Sequence, residues 1–256
     1  MKVSVIIPVY NEEAYIQACL ESVIAQKEPA DEIIVVDNNS QDNTIAIAKT
    51  FPGIRIVKEK NQGMIPARNR GFSSASYEII ARTDADARVP KDWIKRIKKN
   101  FKDTSVIAVS GTMHFYSSPV IAKVSQWPTN IFLKATRSAI RHNILVGPNM
   151  ALRKSAWELV KDEVCMEDKD VHEDIDLALH LAAYGEIKFD NKSVVKASFR
   201  RYKKLITYFD YPYRSIKTIR RHKKTLLEIQ SRRLVKKVFL RSKTIMKHLQ
   251  QIPNQL

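Results

Sequence analysis

Two aspartates one residue apart, in Asp84-Ala85-Asp86, follow the apolar pair Ile79-Ile80. Carboxylates so spaced at a strand end can face one hard divalent cation together, and magnesium and manganese accept both carboxylate and phosphate oxygens. An ion held there could bridge two phosphates and stabilise a departing diphosphate. Asp-x-Asp also occurs in many solvated turns, so its weight depends on the motifs around it. Farther along, His172-Glu173-Asp174-Ile175-Asp176 gathers acidic groups at the head of an apolar helical run. A carboxylate there could act as a general base toward a hydroxyl group, or could be a helix N-terminal charge favoured by the macrodipole.

The pattern along the chain supplies a frame for these groups. Residues 3–7 are a short β-branched run that should stop at Pro8, and residues 12–26 carry apolar positions mostly at helical spacing. Strands over 32–36, 54–57 and 79–82 alternate with helices over 42–50 and 65–74, and further helices fall at 91–101, 155–160 and 175–183. Residues 106–111, 187–189 and 194–197 read as additional strands, and Gly147-Pro148-Asn149 breaks the mixed stretch before it. Alternation at this spacing predicts an α/β fold, a doubly wound and mostly parallel sheet with flanking helices. In such sheets ligands sit beyond the carboxyl ends of the strands. The polar clusters at 10–13, 37–40 and 84–86 all follow strands at that end, so three loops should converge on one crevice.

Composition narrows the class. A 256-residue chain that is 44% hydrophobic can bury a large core. It contains no long uncharged apolar run and begins without a cleavage-site pattern, which predicts neither a membrane span nor a signal peptide and hence a cytoplasmic protein. The cysteines, Cys19 and Cys165, lack metal-ligand spacing and read as packing residues of a reducing compartment. The net charge of +17 is concentrated in residues 200–256, where 17 Lys/Arg face only Asp210 and Glu228.

The segments Pro8-Val9-Tyr10-Asn11-Glu12, Val35-Val36-Asp37-Asn38-Asn39-Ser40, Asn61-Gln62-Gly63 with Ala67-Arg68-Asn69-Arg70-Gly71, and Asp84-Ala85-Asp86 stand in this order. In order and spacing they resemble glycosyltransferase family 2, inverting enzymes of the GT-A fold, over roughly residues 1–198. The second half agrees: residues 147–153 are similar to the family's acceptor-side turn and residues 173–179 to its Glu-Asp motif. The resemblance implies a nucleotide-diphosphate sugar donor, a UDP-sugar above all, with Mn2+ or Mg2+ held by Asp86 and Asp84. It makes Pro8, Tyr10, Glu12, Asp37, Arg68, Asp84 and Ala85 the donor-binding set, with residues 1–90 as the nucleotide half and 91–198 as the acceptor half.

By the same resemblance Tyr10 lies against the nucleobase, Asp37 accepts a hydrogen bond from it, Glu12 holds base or ribose, and Arg68 meets the diphosphate or base. Taken singly, Tyr10 could pack, Asp37 could cap a helix and Arg68 could be a solvated helix-face arginine. Asp174 maps to the base that deprotonates the acceptor hydroxyl. Glu173, Asp176 and His172 compete with it, and His172 could be a third metal ligand or a polar surface residue. Asn38 departs from the family, in which a second aspartate often stands. The Gln-x-x-Arg-Trp motif of processive synthases is absent, which favours transfer of a single sugar. Trp127, Pro128 and His142 could line the acceptor site or pack a lid.

In residues 199–256 the apolar positions between 226 and 249 fall largely on one stripe of a basic helix. Such a helix suits an anionic membrane surface, so the protein could be peripheral on the inner face of the plasma membrane; it equally suits packing on the catalytic domain. Arg200, Arg201, Lys203 and Lys204 could meet donor phosphates or an acidic acceptor. Nucleic acid is disfavoured as a partner, since no recognised module for it is present. The expected function is glycosyl transfer to a lipid-linked or glycan acceptor in cell-envelope polysaccharide or glycolipid synthesis. The alternatives are a sugar-nucleotide pyrophosphorylase, against which the glycine-free residues 1–13 speak, and a non-catalytic nucleotide- or polyanion-binding module.

Overall fold

In the computed structural model, which describes residues 1–116, 131, 134–138, 140–167, 171–200, 206–224 and 226–227, the first strand explains how the core is divided. β1 (Val3–Val9) is buried along its whole length. Side chains alternate across a strand, so Val3, Val5, Ile7 and Val9 fall in one core layer and Ile6 in the other. A strand covered on both faces reads as a continuous apolar run, which is why it lacks polar alternation.

The chain continues through α1 (Ile16–Ile24), β2 (Glu32–Asp37), α2 (Thr44–Lys49), β3 (Ile54–Lys58), α3 (Met64–Ser74) and β4 (Ile79–Arg82). Next come β5 (Ala87–Arg88), α4 (Trp93–Asn100), β6 (Val106–Phe115), a 3-10 turn (Gly147–Asn149) and β7 (Met150–Arg153). The described elements end with α5 (Lys154–Val160), α6 (Glu173–Leu181), β8 (Glu186–Ala197) and α7 (Ile206–Arg221).

These strands form one sheet in the order β3-β2-β1-β4-β7-β6-β8-β5. The β1–β2, β2–β3, β1–β4 and β6–β8 pairs are parallel, whereas β7 runs antiparallel to β4 and β6, and β5 to β8. The fold is therefore α/β with a mostly parallel sheet, as the alternation predicts. α1 and α4 contribute Leu20, Trp93 and Ile97 to one face. α3, α5 and α6 contribute Phe72, Trp157 and Leu177 to the other. Each such side chain stabilises the fold by about 1.5–3 kcal/mol on burial.

Two sequence expectations need correction. β1 does not stop at Pro8 but runs on to Val9, with Pro8 opposite Val36 of β2. Pairing with β4 has already ended at Ile6, so the missing Pro8 N–H interrupts no ladder on that side. The strands expected at 187–189 and 194–197 are one strand, β8, whose register against β6 jumps at Gly111/Thr112 and leaves residues 191–193 as a bulge. The basic stretch beyond residue 227, Arg201, Lys203, Lys204, Trp127 and Pro128 lie outside the described residues.

Candidate active site

The parallel strands β1, β2 and β4 end at the same edge of the sheet, and their loops border a cleft of about 170 Å³. Pro8, Tyr10 and Glu12 come from the β1 end, Asn38 from β2, and Asp84, Ala85 and Asp86 from β4. The three loops thus converge as the sequence pattern requires. Tyr10 is 48% exposed, leaving its ring open to a planar partner, whereas Glu12 and Asp86 are buried. Asn11 and Asn39 take the left-handed conformation at φ 53° and 67°, which asparagine tolerates better than most residues.

Asp37 does not line the cleft: it is buried, and its Oδ1 accepts from the Ser40 N–H at 2.9 Å, closing its own turn. Its neighbour Asn38 is the residue at the wall. Asn38 Nδ2 donates to the carbonyls of Glu59 and Asn61 at 3.0 and 2.7 Å, and Oδ1 accepts from the Gly63 N–H at 2.8 Å. An aspartate could not donate to those two carbonyls, so the amide is what ties the β3–α3 loop to the cleft. Gly63 sits at φ 150°, where a side chain would be strained.

Arg68 departs from both of its expected readings. It is 0% exposed, so it is no solvated helix-face residue. It stands behind the cleft wall, where Nε and Nη2 donate to Asn69 Oδ1 and Nη1 donates to the Glu173 carbonyl at 3.0 Å. Arg68 thereby fastens α3 to the head of α6.

The residue that sequence reasoning missed is Arg82, the last of β4. Its Nη2 donates to Asp84 Oδ1 at 3.0 Å and its Nη1 to Asp174 Oδ1 at 3.3 Å, linking the Asp-x-Asp loop to α6 through a side chain 1% exposed. Burial works against its charge, but Asp84 and Asp174 outweigh burial and hold the guanidinium above its usual pKa. The available signal was a lone arginine ending the apolar run Ile79-Ile80-Ala81.

Asp174 is gripped on its other oxygen, where Oδ2 accepts from the Gly147 N–H at 2.8 Å. A Cβ on Gly147 would lie 3.0 Å from that oxygen and 3.2 Å from Arg82 Nη2, so both side chains would have to give by a few tenths of an ångström. Asn149 anchors the same turn: its Oδ1 accepts from Trp93 Nε1 at 2.9 Å and its Nδ2 donates to the Thr112 and Ser193 carbonyls. Ser193 belongs to the β8 bulge, which gives that irregularity a positional reason.

Burial, reinforced by the neighbouring Glu173 carboxylate, pushes the Asp174 pKa up to about 6. Burial would also raise Glu173, but His172, Arg82 and Arg68 together hold it down. The other competitors are placed elsewhere. Asp176 is 0% exposed and faces His180 and His222, and His172 is buried rather than on the surface. His142 is buried too, with Nδ1 2.8 Å from the Asn143 carbonyl. Cys19 packs in the core, where burial and then Asp84 push its thiol far above its usual pKa.

Asp86 Oδ2 accepts from Arg200 Nε at 2.9 Å, and the same guanidinium pairs with Glu12. Burial opposes the Arg200 charge, but Glu12 and Asp86 raise its pKa. Carboxylates of two loops at one cleft, balanced here by Arg200, are an oxygen donor set that suits Mn2+ or Mg2+. A divalent ion on Asp86 and Asp84 would exchange with Arg200 for Asp86.

A mostly parallel α/β sheet with acidic loop ends over one cleft and a held carboxylate behind them defines a GT-A type protein. Residues 4–160 match the model described as Glycosyl transferase family 2, and the chain belongs to that family. It is 32% identical over 163 residues to the glycosyltransferase AglE of Haloferax volcanii, covering 61% of this chain and 54% of that protein. Against the uncharacterized glycosyltransferase YibD of Escherichia coli it is 41% identical over 92 residues, covering 34% of this chain and 27% of that one. The chain thus spans about half or less of these relatives' length.

Among solved structures, the mannosyltransferase PcManGT from Pyrobaculum calidifontis, in complex with GDP-Man and Mn2+, is 25% identical at a TM-score of 0.62. That match covers 89% of this chain and 68% of that one. S. aureus TarS 1-349, in complex with UDP-GlcNAc, shares the fold at 21% identity and TM-score 0.63, over 77% of this chain and 58% of that one. Family membership sets aside the pyrophosphorylase reading.

Proposed function

We propose that this chain transfers one sugar from a nucleotide-diphosphate donor, a UDP-sugar by preference, to a hydroxyl acceptor with inversion. The observation that carries this reading is the grip on Asp174 by the Gly147 N–H and Arg82, beside the cleft that Asp84 and Asp86 border. Tyr10 offers its ring to the base, while Pro8, Glu12 and Ala85 shape the pocket around the nucleotide. Asp86 and Asp84 would hold Mn2+ or Mg2+, which would supply charge stabilisation for the diphosphate leaving group. Asp174 takes the acceptor hydroxyl proton as that oxygen bonds to the anomeric carbon and the bond from that carbon to the diphosphate oxygen breaks. Its raised pKa keeps it a stronger base than an ordinary carboxylate while still ionised near neutral pH.

The acceptor is a lipid-linked or glycan hydroxyl of cell-envelope polysaccharide or glycolipid synthesis. The basic stripe between residues 226 and 249 supports this through attraction to anionic lipid at the inner membrane face. Among the described residues no helix is long and apolar enough to cross a membrane.

Calorimetric titration with UDP, GDP and deoxythymidine diphosphate, each with manganese and with a chelator, tests the donor assignment. Metal-dependent binding of one nucleotide is expected, retained in Asp174→Asn while transfer is lost. Binding of none of the three by folded protein would favour the non-catalytic module.

A further inference from the structure

On α6, Asp176 lies two residues beyond Asp174 and therefore about 200° around the helix, on the side away from the cleft. It is 0% exposed, and its Oδ2 accepts from the Cys165 N–H at 2.9 Å. Its Oδ1 faces two imidazoles, His222 Nε2 at 3.1 Å and His180 Nε2 at 3.8 Å. His180 and His222 are both buried, and their rings meet edge to face at 5.1 Å.

The outer nitrogen of each ring fixes its tautomer. His222 Nδ1 lies 2.9 Å from the Thr218 carbonyl oxygen, and His180 Nδ1 lies 3.3 Å from Glu163 Oε2. Both partners are acceptors, so both Nδ1 atoms carry the proton. In a neutral ring that leaves a lone pair on Nε2, and both Nε2 atoms turn toward the Asp176 oxygen. The three facing atoms lie within 4.8 Å of one another in a buried space, and the contact with Asp176 holds the His222 pKa above its usual value. A proton on His222 would satisfy one of those contacts and leave His180 Nε2 without a hydrogen bond.

We infer that Asp176, His180 and His222 form a second, structural divalent-metal site, selective for zinc, that pins α6 to the end of α7. Metal–ligand bonds of about 2.0–2.1 Å in a tetrahedron put ligand atoms roughly 3.3 Å apart. The two edges to Asp176, 3.1 and 3.8 Å, bracket that spacing and the third lies within 4.8 Å, so closure draws the two imidazoles together by up to about 1.5 Å. Two imidazole nitrogens and one carboxylate oxygen are a set that zinc prefers over magnesium or manganese. Glu163 and the Thr218 carbonyl occupy the outer positions that orient metal-bound histidines and raise their basicity. The fourth position is left to water. Ile175 and Leu179 of α6 pack with Leu226 and Ile219 beside the site, so the ion would fasten a contact that apolar burial already makes. This site is separate from the cleft and independent of the donor assignment.

The test is zinc titration of full-length protein stripped with a chelator, followed by calorimetry and by the visible spectrum of the Co2+ form. One equivalent of zinc should bind, Co2+ should give the intense bands of a four-coordinate site, and Tm should rise with free zinc. Asp86→Ala should retain all three responses. His222→Gln should weaken zinc binding roughly 100-fold or more, and Glu163→Gln by about 10-fold, as expected for loss of a ligand and of its outer support. The Co2+ spectrum of the unsubstituted protein needs no variant to fold. A pale six-coordinate Co2+ spectrum would overturn the inference, as would zinc binding that Asp86→Ala removes. Protonation of His222 as the sole counter-charge would show as no zinc binding at pH 7.5, and would equally overturn it.

Discussion

Arg200 Nε donates to Asp86 Oδ2 at 2.9 Å, joining the residue just past β8 to the second carboxylate of the Asp-x-Asp loop. A guanidinium and a divalent cation would compete for the same oxygen, so with the proposed metal on Asp86, Arg200 would set the threshold for its entry. Arg200→Gln should bind Mn2+, in the absence of nucleotide, roughly fivefold tighter, or about 1 kcal/mol for a partly exposed pair. The gain should vanish in Arg200→Gln combined with Asp86→Ala. Manganese titration followed by electron paramagnetic resonance reads both; unchanged affinity in the single variant would show that Asp86 is not a ligand.

The pKa of Asp174, pushed up to about 6 by burial and then by Glu173, carries two consequences. As a base it must be ionised, so kcat/KM should rise with pH along a limb centred near 6 and level off above it. A carboxylate whose folded pKa exceeds its unfolded value of about 3.9 contributes stability below that value and loses it as pH rises through about 6. Asp174→Asn should therefore melt higher than wild type at pH 7.5, with the difference shrinking as pH falls toward 4. A flat rate profile between pH 5 and 8, or a variant that melts lower at pH 7.5, would remove Asp174 from this role.

How far the sequence carried the site depends on whether a feature is local. Asp84 and Asp86 follow a strand, so strand period found them without tertiary information, whereas Asp174 was singled out from His172, Glu173 and Asp176 by resemblance to the family's Glu-Asp motif. The α/β alternation was legible for the same reason, because each buried strand and amphipathic helix announces itself within a dozen residues. The pairs that organise the site are not local. Arg82 to Asp174 spans 92 positions and Arg200 to Asp86 spans 114, so no window of sequence contains them. By charge Arg200 belongs with the basic tail; only the return of β8 toward β5 brings it to the cleft. Asn38 was misjudged differently. It stood out only as a departure from the family's second aspartate, whereas its two N–H groups are spent on the backbone of another loop.

That double donation makes Asn38→Asp a stability variant. A carboxylate there would set oxygens against the Glu59 and Asn61 carbonyls and leave both without their present donor. Each lost acceptor partner costs on the order of 1–3 kcal/mol when buried, so a loss of roughly 2–4 kcal/mol is expected. For a chain of this size that is a fall in Tm of about 10 °C, readable by calorimetry. An Asn38→Asp protein that melts with wild type would show that the loop is held by other contacts.

Gly147 gives the sharpest separation of positioning from binding. Its missing side chain lets the 3-10 turn press its N–H onto Asp174, and an added Cβ would crowd both Asp174 Oδ2 and Arg82 Nη2. The cleft that Tyr10 and Asp86 border does not include Gly147, so Gly147→Ala should leave nucleotide affinity within about twofold. The carboxylate, displaced by a few tenths of an ångström, should lose transfer rate by roughly 10-fold. Since Asp174 is held by this N–H on one oxygen and by Arg82 on the other, the variant should also shift the low-pH limb of kcat. Calorimetry of nucleotide binding beside single-turnover transfer separates the two effects. Equal loss in both would mean that the turn shapes the donor pocket, and no loss in either would mean that Asp174 needs no such support.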